Sequence, residues 1–229
     1  MIDTPKWITP TWSAPPNIRA LTTGRQGGVS VAPYDSFNLA AHVNENSTAV
    51  EQNRALLKAH ADLPEDPRWL EQVHGIHVVD AASVAVNQPP PLADASYSDK
   101  AGIVCGVLTA DCLPILLCDK AGSWVAAVHA GWRGLANGII DTTVQQYPYA
   151  RDNLLAWLGP AIGPSAFEVS GDVIEQFKDN GFLIDETVFK PSSKPGKFLG
   201  NLYVLARQRL QALGVFPAHI TGGTYCTYT

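Results

Sequence analysis

Two short segments carry the residues best suited to chemistry: Thr-Ala-Asp-Cys-Leu-Pro at 109–114 and Val-His-Ala-Gly-Trp-Arg-Gly at 128–134. Between them, two apolar runs flank a Gly-containing turn, which is the pattern of a β-hairpin. With the turn centred near Ala121, the register places Cys112 opposite His129 to within one residue. Cross-strand partners lie about 4.5–5.5 Å apart. The sequence therefore predicts a thiol beside an imidazole at the open end of this hairpin.

A thiol next to an imidazole favours zinc, which takes mixed sulfur and nitrogen ligands. Among the six histidines, His74 is the best candidate for a third ligand, because it ends a short strand-like run beside a glycine. Three protein ligands leave the fourth position for water or substrate, as in catalytic zinc sites. The same spacing also fits a merely buried Cys112 and a core His129, because isolated Cys and His are less diagnostic than CxxC pairs.

The residues that follow His129 indicate an anion site. They lead from a buried strand into a helix, where free backbone amides bind anions, and Arg133 adds a fixed positive charge. Arg25, in a glycine-rich loop, is a second candidate anion contact. Asp111, next to Cys112, is suited either to orienting a ligand, to acting as a base or to capping the turn.

Composition limits the classes of function. The 229 residues are 46% hydrophobic and 16% charged, enough for one substantial domain. The net charge of −5 argues against a nucleic-acid partner. No run approaches the roughly 20 apolar residues that span a bilayer, and the N-terminal sequence is not that of a secretory signal. The four cysteines show no CxxC spacing, which favours a reduced, cytoplasmic protein.

Strand and helix patterns mix without strict βαβ alternation, which predicts an α+β fold. Apolar runs predict strands at 102–108, 113–118, 124–128 and 154–158. Helices are predicted at 135–147, 172–180, 202–213 and from Thr48 to about Asp62, the last with Glu51 completing a capping box. The proline-rich segment 87–99 is predicted to be a loop, a candidate flap.

Several motifs together resemble one family. They are Trp-Leu-Glu-Gln-Val-His-Gly at 69–75, the two segments that contain Cys112 and His129, Leu-Gly-Pro-Ala-Ile-Gly-Pro at 158–164, Gly-Arg-Gln-Gly-Gly-Val-Ser at 24–30 and Phe-Asn-Leu at 37–39. Over nearly the whole chain they are similar to the polyphenol oxidase, or laccase-domain, family. Its bacterial members are also called peptidoglycan editing factors or purine nucleoside phosphorylases.

The resemblance implies a single domain over 1–229, built as a four-layer αββα sandwich similar to cytotoxic-necrotizing-factor-like cysteine hydrolases. It implies that His74, Cys112 and His129 hold zinc and are the catalytic residues. Substrate contacts are expected at the following positions: Arg25, Asn38, Gln72, Asp111 and Arg133. The expected partners are a purine nucleoside and phosphate, with no nucleic acid and no membrane, and the oligomeric state is left open.

The activity that the resemblance implies is phosphorolysis of adenosine, inosine and S-methyl-5'-thioadenosine, with deamination of adenosine. Copper-dependent phenol oxidation is disfavoured, because multicopper sites need many histidines, often as His-x-His, and no such pair occurs here. The deaminase signature H-x-E with P-C-x-x-C is absent as well, so a deamination would need another constellation.

Two other classes of function remain. One is a cysteine hydrolase or amidase acting on a peptidoglycan precursor, with Cys112 as nucleophile and His129 as base. The other is a binding module with a structural metal. The sequence also departs from the family pattern: Ser165-Ala166 stands where many relatives carry Cys-Cys, and an aromatic and arginine-rich tail usual in relatives does not follow Thr229. If that tail completes the pocket, we expect impaired activity.

Overall fold

The structure, a computed structural model, describes residues 5–86 and 88–228. Within these ranges eleven strands and five α-helices form a mixed α/β fold. The strands are β1 Trp7–Ile8, β2 Thr22–Thr23, β3 Val78–Asp80, β4 Ala95–Ser98, β5 Leu113–Asp119, β6 Val125–Ala130, β7 Leu154–Leu158, β8 Glu168–Ser170, β9 Phe189–Pro191, β10 Lys197–Gly200 and β11 Ile220–Gly222. The helices are α1 Ser47–His60, α2 Trp132–Asn137, α3 Ile139–Gln145, α4 Gly171–Asp179 and α5 Leu202–Ala212.

A six-stranded sheet in the order β11-β7-β5-β6-β4-β3 forms the centre of the fold. Its outer pairs, β3–β4 and β11–β7, are parallel, and the pairs between them are antiparallel. The strands β5, β6 and β7 are almost wholly buried, as their continuous apolar runs predicted. The mixed class is therefore confirmed, whereas the four-layer order and the likeness to cysteine hydrolases stay predictions.

Strands β5 and β6 form the predicted hairpin, but the predicted register was wrong. Pro114, not Cys112, pairs with His129. Asp119 fixes the turn, because its carboxylate accepts hydrogen bonds from the backbone amides of residues 123–124 at 2.7 and 3.1 Å. Cys112 therefore lies two residues before the partner of His129, ahead of β5, and reaches the imidazole from the end of the sheet rather than across it.

The helices agree with the predictions except at their ends and at one interior break. Helix α1 is capped by Asn46 rather than Thr48, since the Asn46 side chain accepts from the amides of residues 48–49 at 2.9 and 3.3 Å. The predicted helix 135–147 is interrupted at Gly138, whose φ of 104° separates α2 from α3. No helix in the described ranges is long and apolar enough to cross a membrane.

Two segments between β3 and β5 differ from their predictions. The proposed flap 87–99 contains β4, and its residues 93–96 are fully buried or nearly so; Asn87 itself lies outside the described residues. The predicted strand 102–108 pairs at a single point, between Cys105 and Arg68. The prolines thus predicted a loop where β4 forms, and the apolar run at 102–108 predicted a buried strand where the residues are only partly buried or exposed. Both segments pack by tertiary contacts that local sequence does not encode.

Candidate metal centre

Three donor side chains meet beside the hairpin, and they are the three that the sequence singled out. One ligand atom each from His74, Cys112 and His129 lies within 4.8 Å of the other two. The sulfur of Cys112 is 3.6 Å from Nε2 of His74. The two imidazole rings are 4.7 Å apart between centroids and nearly perpendicular. This group is suited to hold a metal ion, because a thiolate and two imidazole nitrogens are preferred ligands of transition metals.

Each ligand comes from a different part of the chain. His129 lies near the end of β6, Cys112 directly precedes β5, and His74 sits in the loop that leads to β3. His129 is 3% exposed, Cys112 is half-buried and His74 is exposed. The group is therefore closed to solvent on the side of His129 and open to it on the side of His74.

The loop that presents His74 has an unusual backbone. His74 has φ of 60°, in the left-handed region that residues with a side chain seldom adopt. The carboxylate of Asp94 holds this loop by accepting hydrogen bonds from three successive amides, at 3.3 Å from Val73, 2.9 Å from His74 and 2.7 Å from Gly75.

The same carboxylate contacts the second histidine. Oδ1 of Asp94 lies 2.8 Å from Nδ1 of His129, and the backbone amide of His129 donates to the Asp94 carbonyl at 2.7 Å. Sequence analysis missed Asp94 because it lies in the segment that was assigned to a flap. The available signal was a single acidic residue between two alanines, Ala93 and Ala95, next to a short run with strand propensity.

Charge at the centre is set by these contacts. Burial lowers the pKa of His129, but the hydrogen bonds to Asp94 and Cys112 outweigh burial and raise that pKa to about 9 in the metal-free protein. Burial raises the pKa of Asp94, but hydrogen bonds from His129, Gly75 and Val73 bring it below the usual value, so the carboxylate is ionised. Burial and the positive charge of His129 lower the pKa of His74, which leaves it neutral and ready to bind a metal.

A glycine lies against the cluster. Gly131 has φ of −60°, a conformation open to any residue, yet a β-carbon there would lie 2.7 Å from Cδ2 of His74 and 3.0 Å from the Cys112 sulfur. The space beside His74 and Cys112 therefore depends on the absence of a side chain at this position. The donor set and this bare backbone together fit a bound transition-metal ion.

Comparison with known proteins decides the family. The family model described as multi-copper polyphenol oxidoreductase laccase matches residues 19–229. The chain belongs to this laccase family. The resemblance predicted from the motifs is thus confirmed.

Relatives of this laccase-family chain include purine nucleoside phosphorylases. One from Pseudomonas aeruginosa is 49% identical over 223 residues, which cover 97% of this chain and 88% of the relative. The purine nucleoside phosphorylase YfiH of Escherichia coli is 48% identical and covers 98% and 89%. Among solved structures, a Neisseria meningitidis protein superposes with a TM-score of 0.88 at 43% identity over 96% of this chain and 88% of that one.

Two of the substrate contacts expected from the laccase family lie close to the cluster. The charge of Arg133 lowers the pKa of His74, and its exposed guanidinium lies 4.3 Å from the centre of the Trp132 ring. Asp111 is exposed beside Cys112, and its Oδ1 accepts from the hydroxyl of Thr227 at 2.7 Å.

The other expected contacts make hydrogen bonds with the protein itself. Gln72 uses both ends of its amide on the backbone of Leu108, at 2.8 and 2.7 Å, and so joins the segments that lead to His74 and Cys112. The Arg25 guanidinium donates to Asp35, and Asn38 donates to Glu45 at 2.6 Å. Among the described residues, the side-chain hydrogen bonds of Arg25 and Asn38 stay near their own loop and none reaches the cluster.

Proposed function

We propose that this chain is a zinc-dependent purine nucleoside phosphorylase, with the metal held by His74, Cys112 and His129. The observation that carries the proposal is the convergence of these three donors within 4.8 Å at a place open to solvent. Two relatives named purine nucleoside phosphorylases, 48% and 49% identical to this chain, support it. The proposal takes residues 1–229 as one laccase-type domain in a reducing cytoplasm, where the Cys112 thiol stays available as a ligand.

Phosphorolysis needs an anion placed against the sugar. A phosphate oxygen forms a bond to C1' of the ribose while the bond from C1' to N9 of the purine breaks, and the departing base takes up a proton. A bound zinc ion supplies Lewis acidity that stabilises negative charge developing on the substrate. Arg133 is exposed and its charge acts on His74, which supports a role for it as the fixed cation that binds the phosphate. Helix α2 spans only six residues, so the side chain rather than the helix dipole carries this role.

Asp111 completes the expected set near the cluster. With Oδ1 held by Thr227, its second oxygen is left to accept a hydrogen bond from the sugar or to exchange a proton with the base. Arg25, Asn38 and Gln72 remain part of the proposal as substrate contacts. For Gln72 this requires giving up its two hydrogen bonds to Leu108, so its support of the His74 loop is the simpler role.

Zinc is preferred over copper on the chemistry of the donors. Zinc accepts mixed thiolate and imidazole ligands with an open fourth position. A His₂Cys set also occurs in copper electron-transfer sites, but those do not need the solvent access that exposed His74 provides here. Metal analysis of the purified protein decides between them, since copper(II) thiolate absorbs strongly in the visible range and zinc does not.

A second function is favoured by one specific observation. The His129 ring makes a hydrogen bond with Cys112 on one side and with Asp94 on the other. A nucleophile, a base and an orienting acid are connected in the same way in cysteine hydrolases. In this alternative the Cys112 sulfur of the metal-free protein bonds to the carbonyl carbon of an amide in a peptidoglycan precursor, the C–N bond breaks, and the amine leaves with a proton from His129. Water then hydrolyses the thioester and frees the thiol. A covalent adduct on Cys112 with such an amide, formed only without metal, would favour it.

The decisive experiment is incubation of the zinc-loaded protein with adenosine, inosine and S-methyl-5'-thioadenosine, each with and without phosphate. Phosphorolysis yields free base and a sugar 1-phosphate only when phosphate is present. Deamination of adenosine, the other activity that the family resemblance implies, would yield inosine and ammonia without phosphate. Cys112→Ala removes the ligand thiol, and the matched control is Cys118→Ala, which removes a buried thiol at the turn end of the β5–β6 hairpin, away from the three ligands. Activity that survives both Cys112→Ala and a chelator would refute the metal-centred proposal.

A further inference from the structure

We propose that Asp94 is a positioning residue that fixes both histidines of the cluster, His74 and His129, before any metal binds. The inference rests on the metal centre of the proposed function but not on its reaction. Its basis is one buried carboxylate that reaches a side chain on one ligand and the backbone of the other.

The hydrogen bonds at Asp94 are complete. Oδ1 accepts from Nδ1 of His129 and from the amide of His74, and Oδ2 accepts from the amides of Gly75 and Val73. A carboxylate offers about four lone-pair sites, so every one is used. Asp94 is 0% exposed, so water does not compete for these oxygens and the four donors hold it in one place.

For His74 the consequence is a defined backbone. The left-handed conformation at φ of 60° is unfavourable for a residue with a β-carbon. Three consecutive amides directed at one carboxylate stabilise this turn of the chain. Without that acceptor, the loop would relax and carry the imidazole away from Cys112, to which it now lies at 3.6 Å.

For His129 the consequence is a defined ring orientation. Because Nδ1 donates to Asp94, Nε2 is the nitrogen left for the cluster, and it is the one that gives up its proton when a metal binds. Hydrogen bonds from metal-binding histidines to carboxylates fix the tautomer in this way.

An amide at this position does not replace the carboxylate. Four donors point at Asp94, and asparagine offers one accepting oxygen and one NH₂ group, which is itself a donor. Either His129 or the His74 loop would then face a second donor at close range. Asp94→Asn therefore preserves the shape of the side chain but removes one of its two hydrogen-bond-accepting oxygens.

The control is Asp119, which has the same chemistry at the other end of the β5–β6 hairpin. It is 1% exposed, and its carboxylate accepts two amides and the hydroxyl of Ser123. Asp119→Asn therefore tests the loss of a buried carboxylate that holds a turn, without contact with the cluster.

The experiment measures the zinc dissociation constant of the wild type and both variants by competition with a chromophoric chelator. We expect Asp94→Asn to weaken zinc binding about 10–100-fold and to change the visible spectrum of the cobalt(II)-substituted protein. We expect Asp119→Asn to leave both unchanged even where it lowers the melting temperature. Unchanged zinc affinity in Asp94→Asn, equal losses in the two variants, or a wild type that binds no zinc would each overturn the proposal.

A second measurement needs no variant and stays informative if Asp94→Asn does not fold. Long-range proton–nitrogen NMR of the zinc-loaded wild type should show His129 protonated at Nδ1 and bound to metal through Nε2. The opposite assignment would overturn the proposal. A protein that meets these expectations and yet cleaves no nucleoside disproves the proposed function and leaves the role of Asp94 intact.

Discussion

Gly131 lies so close to His74 that a β-carbon on Gly131 would stand 2.7 Å from Cδ2 of the imidazole. The same atom would be 3.0 Å from the sulfur of Cys112. Because the backbone φ of −60° suits alanine, Gly131→Ala adds volume and little backbone strain. We therefore expect this variant to fold, to bind zinc at least about tenfold more weakly and to lose activity in parallel, since misplaced ligands weaken metal binding.

The comparison for that variant is Gly171→Ala at the start of α4. The nearest atom to a β-carbon there is 4.0 Å away, so the added methyl meets ordinary contact and zinc binding should not change. Zinc titration of both variants, with melting temperatures measured alongside, separates a local clash from general destabilisation. If Gly131→Ala bound zinc as tightly as the wild type, His74 and Cys112 would not lie against this glycine in the metal-bound protein.

Residue types in the sequence identified the three candidate ligands, but the predicted strand pairing did not give their arrangement in space. Cys112 and His129 were expected to face each other across the hairpin, whereas Pro114 occupies that position. The difference between the predicted and the observed register arises at the hairpin turn, which Asp119 fixes through its side-chain hydrogen bonds. A turn set by a side chain shifts the register of everything beyond it, and strand patterns alone do not encode this.

Asp94 shows a different limit of sequence analysis. The residue lies in a segment whose prolines predicted a loop, yet Ala93 to Ser96 are buried at the edge of the cluster. Its role depends on hydrogen bonds to residues 73–75 and to His129, which are 19 to 35 positions away. Such contacts arise from the tertiary fold, so local propensity gives no sign of them.

Thiol chemistry provides a second prediction. In native metal-free protein, iodoacetamide should modify Cys112, which is half-buried beside the open side of the cluster, and zinc should protect it. Burial raises the pKa of Cys105 and of Cys118 to about 12, so roughly one thiol in ten thousand is ionised at pH 8 and both should stay unmodified. Peptide mass spectrometry after timed alkylation measures each site. Equal modification of Cys112 with and without zinc would exclude it as a ligand.

The third prediction concerns the pH dependence of stability in the presence of a chelator. The pKa of His129 is about 9 in the folded metal-free protein, against an ordinary value of 6.5. The folded state therefore holds this proton more tightly than the unfolded state. The resulting stabilisation is complete below pH 6.5 and is lost as the pH rises through 9.

Urea unfolding at several pH values between 7 and 9.5 measures this loss. The pKa of His74 is lowered in the folded protein, so His74 is neutral in both states over most of that range and contributes little slope. His129→Gln should remove much of the decline, because glutamine carries no titrating proton. Stability of the wild type that stays level or increases from pH 7 to 9.5 would contradict the assigned contacts between His129, Asp94 and Cys112.

Arg133 is the side chain expected to bind phosphate, so Arg133→Ala should raise the KM for phosphate about tenfold or more while kcat for the nucleoside changes less. A hydrogen bond to a charged group contributes about 1.5–3 kcal/mol, and 1.4 kcal/mol corresponds to about a factor of ten. Arg133→Lys should recover part of the loss, because it restores the charge but not the bidentate geometry of the guanidinium.

The matched control is Arg54→Ala. It removes another arginine that stacks on a tryptophan, 4.5 Å from the centre of the Trp69 ring, but it lies in a helix that supplies no ligand. An unchanged KM for phosphate in Arg133→Ala, or an equal increase in Arg54→Ala, would place the phosphate elsewhere.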